Sequence, residues 1–184
     1  VNGKDGLLYR FDVTAAGLAE TEALDMRGLI SGFSYGDMTS VAVDTVNDQI
    51  AVALQAEGYA DKGRIALLDY EMNLIASYEA GVQPDMVTFA GSSTVLTADE
   101  GEPREGYGDG IVDPRGSVTV ADVSTLTSEV VGFDAFDARR DELASAGIVL
   151  KKGVDPSTDL EPEYIAVSGG KAYVTLQEHN AIAG

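Results

Sequence analysis

Cysteine and tryptophan are absent from this chain, histidine occurs once, and lysine plus arginine total only 12 against 31 acidic residues. Without cysteine there is no disulfide framework and no thiolate metal site, an absence that fits an oxidising compartment. With His179 alone, neither a multi-histidine metal centre nor a histidine-based catalytic pair is available. The shortage of basic residues leaves a formal net charge of −19, which repels phosphate backbones and excludes nucleic acid as a partner. Such a surface favours solubility and cations. No apolar run is long enough to span a bilayer, and no basic-then-apolar leader stands at Val1. The chain starts without methionine and reads as a processed or excised piece of something longer.

What is there is mostly β-strand signal. Hydrophobic residues make up 45% of the 184, enough for a globular core, so the 21 glycines read as turns rather than disorder. Leu7 to Val13 alternates as a half-buried strand does. Five hairpins follow: Val41–Val43 with Ile50–Leu54, Arg64–Tyr70 with Leu74–Tyr78, Met86–Phe89 with Thr94–Ala98, Gly116–Asp122 with Glu129–Phe133, and Tyr164–Val167 with Ala172–Leu176. Ala135 to Gly147 carries helix formers, with Phe136, Arg140 and Leu143 at helical spacing and Gly147 as a stop.

A motif recurs in register. Pro84-Asp85-Met86-Val87-Thr88-Phe89 leads through a turn to Thr97-Ala98-Asp99-Glu100, and Pro162-Glu163-Tyr164-Ile165-Ala166-Val167 leads to Thr175-Leu176-Gln177-Glu178. The copies stand 78 residues apart at both ends. A looser copy from Ser40 closes at Glu57. Paired hairpins give four-strand units, Ser40 to Ala80 and Asp85 to Phe133, of a size that suits β-propeller blades. The fold expected is all-β: a partial β-propeller of about two full blades and two half blades, forming a single domain over 1–184, with a helical and loop insertion over 134–161. A plain sandwich is the alternative. Such a set does not close a ring, so the remainder of the propeller is an expected partner.

Candidate site residues gather where second strands end. Glu57, Glu100 and Glu178 close successive units, and Asp85 and Glu163 open them. If these strands line a channel, Glu57, Glu100, Glu102 and Glu178 offer carboxylates for calcium. The same glutamates also suit caps on strand ends between adjacent blades. The loop from Ala98 to Ser117 is rich in acids and glycines, and loops on rigid scaffolds are the usual seat of function. Within it Arg104 and Arg115 suit phosphate oxygens or neighbouring carboxylates, and Tyr107, between glycines, suits a sugar face. His179 reads as a surface residue able to hydrogen-bond a ligand.

Ala98-Asp99-Glu100-Gly101-Glu102-Pro103-Arg104 with Asp113-Pro114-Arg115-Gly116-Ser117-Val118 resembles a stretch typical of the choice-of-anchor I family. Asp159-Leu160-Glu161-Pro162-Glu163-Tyr164 and Leu176-Gln177-Glu178-His179-Asn180 resemble its second hallmark, from about Gly81 onward. Departures fall at Asp99, where the family tends to Asn, at Arg115 (Glu) and at His179 (Asn). The resemblance implies a propeller in a bacterial protein that is secreted, periplasmic or displayed on the cell surface. A binding or scaffold module, possible ligands being a small molecule, a phosphoester or a glycan, is the function expected. Family members joined to metallophosphatase or nucleotidase domains make a metal-dependent phosphoesterase the alternative.

Overall fold

The computed structural model describes residues 3–106, 108 and 110–184. Among them thirteen strands form four separate antiparallel sheets, each a meander of sequence neighbours. The first pairs β1 (Leu7–Thr14) with β2 (Gly17–Asp25). The second runs β3 (Tyr35–Asp44), β4 (Gln49–Ala56), β5 (Lys62–Asp69) and β6 (Leu74–Val82). The third runs β7 (Pro84–Phe89), β8 (Thr94–Asp99), β9 (Ser117–Asp122) and β10 (Thr127–Gly132). The fourth holds β11 (Tyr164–Ser168), β12 (Lys171–Leu176) and β13 (Ala181–Ala183). The all-β class expected from the sequence is what forms, and no closed sheet joins these four.

The period-2 geometry of a strand explains how the sheets stack. On β4 and β5, Val52, Leu54, Ala66 and Leu68 pack toward the first sheet with Leu8 and Met26. Their alternates Ala51, Ala53, Ile65 and Leu67 pack toward the third sheet with Val87, Val95 and Ala121. The inner strands β4 and β5 are thus buried on both faces, which is why Ala51 to Leu54 reads as unbroken apolar sequence. On β8, Leu96 and Ala98 turn to Ile165 and Val174 of the fourth sheet. Each fully buried Leu or Ile contributes roughly 1.5–3 kcal/mol.

A meander places alternate connections at opposite ends, and here the two ends differ in chemistry. One end carries tight turns. The Asp44 carboxylate accepts from Val46 N–H at 2.8 Å and Asn47 Nδ2 at 2.6 Å, Asp69 accepts from Asn73 N–H at 2.8 Å, and Asp122 from Ser124 N–H at 2.8 Å. These bonds, side-chain partners foremost, hold all three carboxyls below the usual range. The other end carries Glu57, the acidic loop after Asp99, the segment between β10 and β11, and Glu178.

The segment between β10 and β11 is less helical than its spacing predicts. A 3-10 stretch, Asp134–Arg139, precedes α1 (Arg140–Ser145), which stops before Gly147 at φ +97. A second helix the sequence reading passed over, α2 (Pro156–Asp159), begins on a proline, whose fixed φ suits the first helical turn. Phe133, Leu160 and Leu176 fasten this segment to the fourth sheet.

Candidate functional site

The rim at the loop-bearing end is built from strand termini. Glu57 N–H donates to Ser34 O at 2.9 Å, and Glu100 N–H donates to Gln83 O at 3.0 Å. Ser34 and Gln83 each precede the first strand of their sheet, so Glu57 and Glu100 hold the same backbone position in successive sheets. Glu178 does not repeat it. Met86 pairs with Ala98, but Tyr164 pairs with Thr175, one residue short of the 78-residue frame. The cause is a hairpin that turns on Gly169-Gly170 alone, both at positive φ, where Gly91-Ser92-Ser93 serves in the third sheet. Gln177 rather than Glu178 therefore falls in register with Glu100, and both Gln177 and Glu178 lie in the 3-10 turn Gln177–His179.

The rim nonetheless draws carboxylates together. Glu163 lies near enough to Glu178 and Glu100 for both to act on its acidity, burial raising it first and Glu178 next, with Glu100 pulling the other way. Burial, then the charges of Asp85, Glu102 and Glu163, push Glu100 up to about 7, against the opposing pull of Arg104. Asp85 is raised by burial first, with Arg104 opposing and the Asp37 and Glu102 charges reinforcing. Glu163 and Glu161 are raised by burial as well. Like charges held this close share a proton or take a counter-ion.

Positioning falls to residues that no motif marked. Gln83, 2% exposed and at φ +56, donates from Nε2 to Tyr59 O at 2.8 Å and to Glu102 O at 2.6 Å. Its Oε1 accepts from Glu102 N–H at 3.2 Å. One amide thereby ties the loop after β4 to the acidic loop after β8. Arg104 Nη2 donates to Gln55 Oε1 at 2.6 Å, which holds the guanidinium beside Asp85 and Glu100.

The remaining predicted residues disperse. The Glu57 side chain is exposed and carries no interaction with the Glu100 group among those described. Glu102 is exposed at the rim. Arg115 pairs with exposed Asp134 at the start of the 3-10 stretch, away from Arg104. Tyr107 lies outside the described residues. His179 corrects the surface reading: it is 3% exposed, its Nε2 is 3.7 Å from Asp159 Oδ2, and its carbonyl accepts from Val149 N–H at 3.1 Å. The segment before β11 covers it, and nothing in sequence showed that this segment folds back.

Among the described residues, no three of His, Cys, Asp and Glu stand arranged to hold a metal ion. A broad concavity lies elsewhere, on the outward face of β11 to β13, lined by Tyr164, Thr175, Gln177, Asn180 and Ile182. It is an open sheet face without a group of close carboxylates, so the chemistry favours the rim. A model of the choice-of-anchor I domain matches residues 1–184. The chain belongs to the choice-of-anchor I family. No curated protein matches it. The choice-of-anchor description suggests a bacterial protein of the cell surface or secreted from the cell. No described helix of this choice-of-anchor I domain is long and apolar enough to cross a membrane.

A second polar group flanks the rim in this choice-of-anchor I domain. Asp159, 0% exposed, accepts from Lys151 N–H at 2.6 Å, and Lys151 Nζ lies 3.7 Å from Asp159 Oδ1 and 3.5 Å from Glu161 Oε1. Asp113 is raised by burial, opposed by Lys151 and reinforced by Asp159. Lys151 thus supplies the cation that lets these acids sit beneath the surface.

Proposed function

We propose that this domain is a surface-displayed binding module, its sheets serving as blades of a β-propeller, whose acidic rim takes up Ca²⁺. The blade reading is supported by two four-stranded meanders stacked face to face, each beginning at the rim. The binding reading rests on one observation: Glu163 lies within electrostatic reach of both Glu100 and Glu178, and burial with the neighbouring charges pushes Glu100 up to about 7. Three glutamates within electrostatic reach of one another carry more negative charge than the rim supports alone. At neutral pH a proton shared among them relieves it, and a hard cation does so better. Glu100, Glu163 and Glu178 would hold the ion, drawn closer than they stand.

Cation and proton then compete. Below the Glu100 value of about 7 the site is protonated and Ca²⁺ affinity falls, while at pH 8 the site is ionised and affinity rises. Calorimetric titration with Ca²⁺ at pH 8.0 and 5.5 tests this. The expected result is at least tenfold tighter binding at pH 8.0, proton release on binding at pH 7, and loss of both in Glu163→Gln. Binding of equal strength at both pH values, or an unaffected Glu163→Gln, refutes the assignment.

One observation favours a metal-dependent phosphoesterase as the second reading. Arg104 sits beside Asp85 and Glu100, so a bound cation and a guanidinium would flank one phosphoryl group. Chelator-stripped protein assayed on several phosphoesters, with and without Ca²⁺, separates the readings. Absence of metal-restored turnover removes the enzyme and leaves the binding module.

A further inference from the structure

Arg104 follows the buried Pro103 at the second position of a turn, where Pro103 O accepts from Gly106 N–H at 2.9 Å. The chain just before it is fastened by Gln83, whose amide bonds both the carbonyl and the N–H of Glu102. Arg104 is exposed and yet held, since its Nη2 donates to Gln55 Oε1 at 2.6 Å. Gln55 is 2% exposed and pairs in register with Asp37 of β3.

The other arginines are employed differently. Arg10, Arg27, Arg64, Arg115 and Arg139 each pair with a carboxylate, and Arg140 donates to the carbonyls of Lys151 and Val154. Arg104 makes no such pair among the described residues, in a chain with 31 acids, although Asp85 and Glu100 stand near enough to feel its charge. A neutral amide positions the guanidinium without spending its charge, whereas an acid in place of Gln55 would neutralise it. The amide is itself incomplete. Its Nε2 is enclosed and donates to nothing among the described residues. Turning the amide over would set two donors against each other, so the guanidinium fixes this orientation. A buried donor without an acceptor is destabilising. One linked pair thus keeps a cation without a counter-charge and a donor without an acceptor, and a single oxyanion supplies both.

We propose that Arg104 and Gln55 form a receptor for the carboxylate of a ligand, seated beside the Ca²⁺ of the rim. The receptor rests on the calcium reading, since the bound cation offsets Glu100, Glu163 and Glu178, which otherwise repel an anion. A carboxylate is planar and matches the guanidinium fork with two parallel N–H···O bonds. It brings one negative charge, whereas a phosphate monoester brings about two to a rim that already holds Asp85 and Glu102. The lesser charge is therefore preferred. Coupling is mutual: the carboxylate tightens Ca²⁺ by the same factor as Ca²⁺ tightens the carboxylate.

The probes are galacturonate, galactose, which has a hydroxymethyl group in place of the carboxylate, and methyl phosphate. Each is titrated calorimetrically into the full protein at pH 8.0 with and without Ca²⁺. Galacturonate should bind about tenfold or more tighter than the other two, and tighter still with Ca²⁺. Arg104→Gln should weaken galacturonate by about tenfold or more while tightening Ca²⁺, because a positive charge leaves the rim. Gln55→Glu, which gives Arg104 an acid of its own, should abolish galacturonate binding. Galactose or methyl phosphate binding as tightly as galacturonate, or galacturonate undiminished in Gln55→Glu, overturns the receptor. Uptake of Ca²⁺ with no binding of galacturonate removes the receptor and leaves the calcium site. Protein that takes up no Ca²⁺ but binds galacturonate through Arg104 loses the calcium site and keeps the receptor. If Arg104→Gln loses both ligands, its loop has been lost, and Gln55→Glu decides.

Discussion

Replacing Gln83 with alanine removes three hydrogen bonds at once from a residue that is 2% exposed. The backbone of Tyr59 loses its carbonyl partner at 2.8 Å, and Glu102 loses partners on both its carbonyl and its N–H. A net contribution of about 1 kcal/mol for each bond gives a loss of roughly 3 kcal/mol, with a further increment for groups left buried and unpaired. For a domain of this size that corresponds to a fall of about 6–12 °C in Tm. Backbone strain works the other way. Gln83 holds φ +56, a region that costs an L-residue roughly 1 kcal/mol and glycine almost nothing. Gln83→Gly should therefore be about 1 kcal/mol more stable than Gln83→Ala while losing the same clamp. Urea unfolding of both variants supplies the energies, and amide exchange at Glu102 reports whether the acidic loop is freed. A loss under 1 kcal/mol in Gln83→Ala, or glycine no better than alanine, refutes the clamp.

Two further perturbations probe the ends and the middle of the stack. Lys151→Met leaves Asp159 buried without its nearby ammonium, at a cost of about 1–3 kcal/mol after allowance for the partial exposure of the lysine. Limited proteolysis between residues 148 and 160 should quicken, and an unchanged cleavage rate would show that Lys151 holds nothing in place. Leu54→Ala opens a cavity where the first two sheets meet, costing about 2–5 kcal/mol in urea unfolding with no change in Ca²⁺ affinity.

Strand pairs were legible because short apolar runs bounded by turn residues are a local property. Ile50 to Leu54 and Thr94 to Ala98 announce themselves, and both became β4 and β8. β2 escaped notice because Gly17 to Asp25 is exposed along most of its length, which leaves no apolar rhythm to read. β13 is too short to signal, at three residues. The 78-residue repeat marks Glu100 and Glu178 as equivalent strand-end acids but does not reveal the register slip, since two glycines in place of three turn residues leave the flanking motif intact. Asp99 was visible as a residue but not as a buried one. Its hydroxyl partners Ser117 and Thr119 come from another strand, and only the pairing of β8 with β9 brings them in. The same holds for His179, whose cover comes from a segment some thirty residues upstream.

The distribution of charge follows from how the sheets are stacked. A strand buried on both faces has no side on which to place a carboxylate, so β4 carries no acid and β5 only Asp69 at its end, while Glu79 stands on the exposed side of β6. At the tight-turn end, Asp44, Asp69 and Asp122 spend their charge on backbone N–H groups and side-chain donors, and their acidity is held low. At the rim the loops are longer and donors fewer, so Asp85, Glu100, Glu161 and Glu163 are all raised. The two ends therefore answer acidification oppositely, with the turns losing stabilisation as pH falls and the rim gaining it. Asp99 and Glu100 stand side by side on that gradient and face different sheets. A proton entering at Glu100 changes the charge that the rim presents.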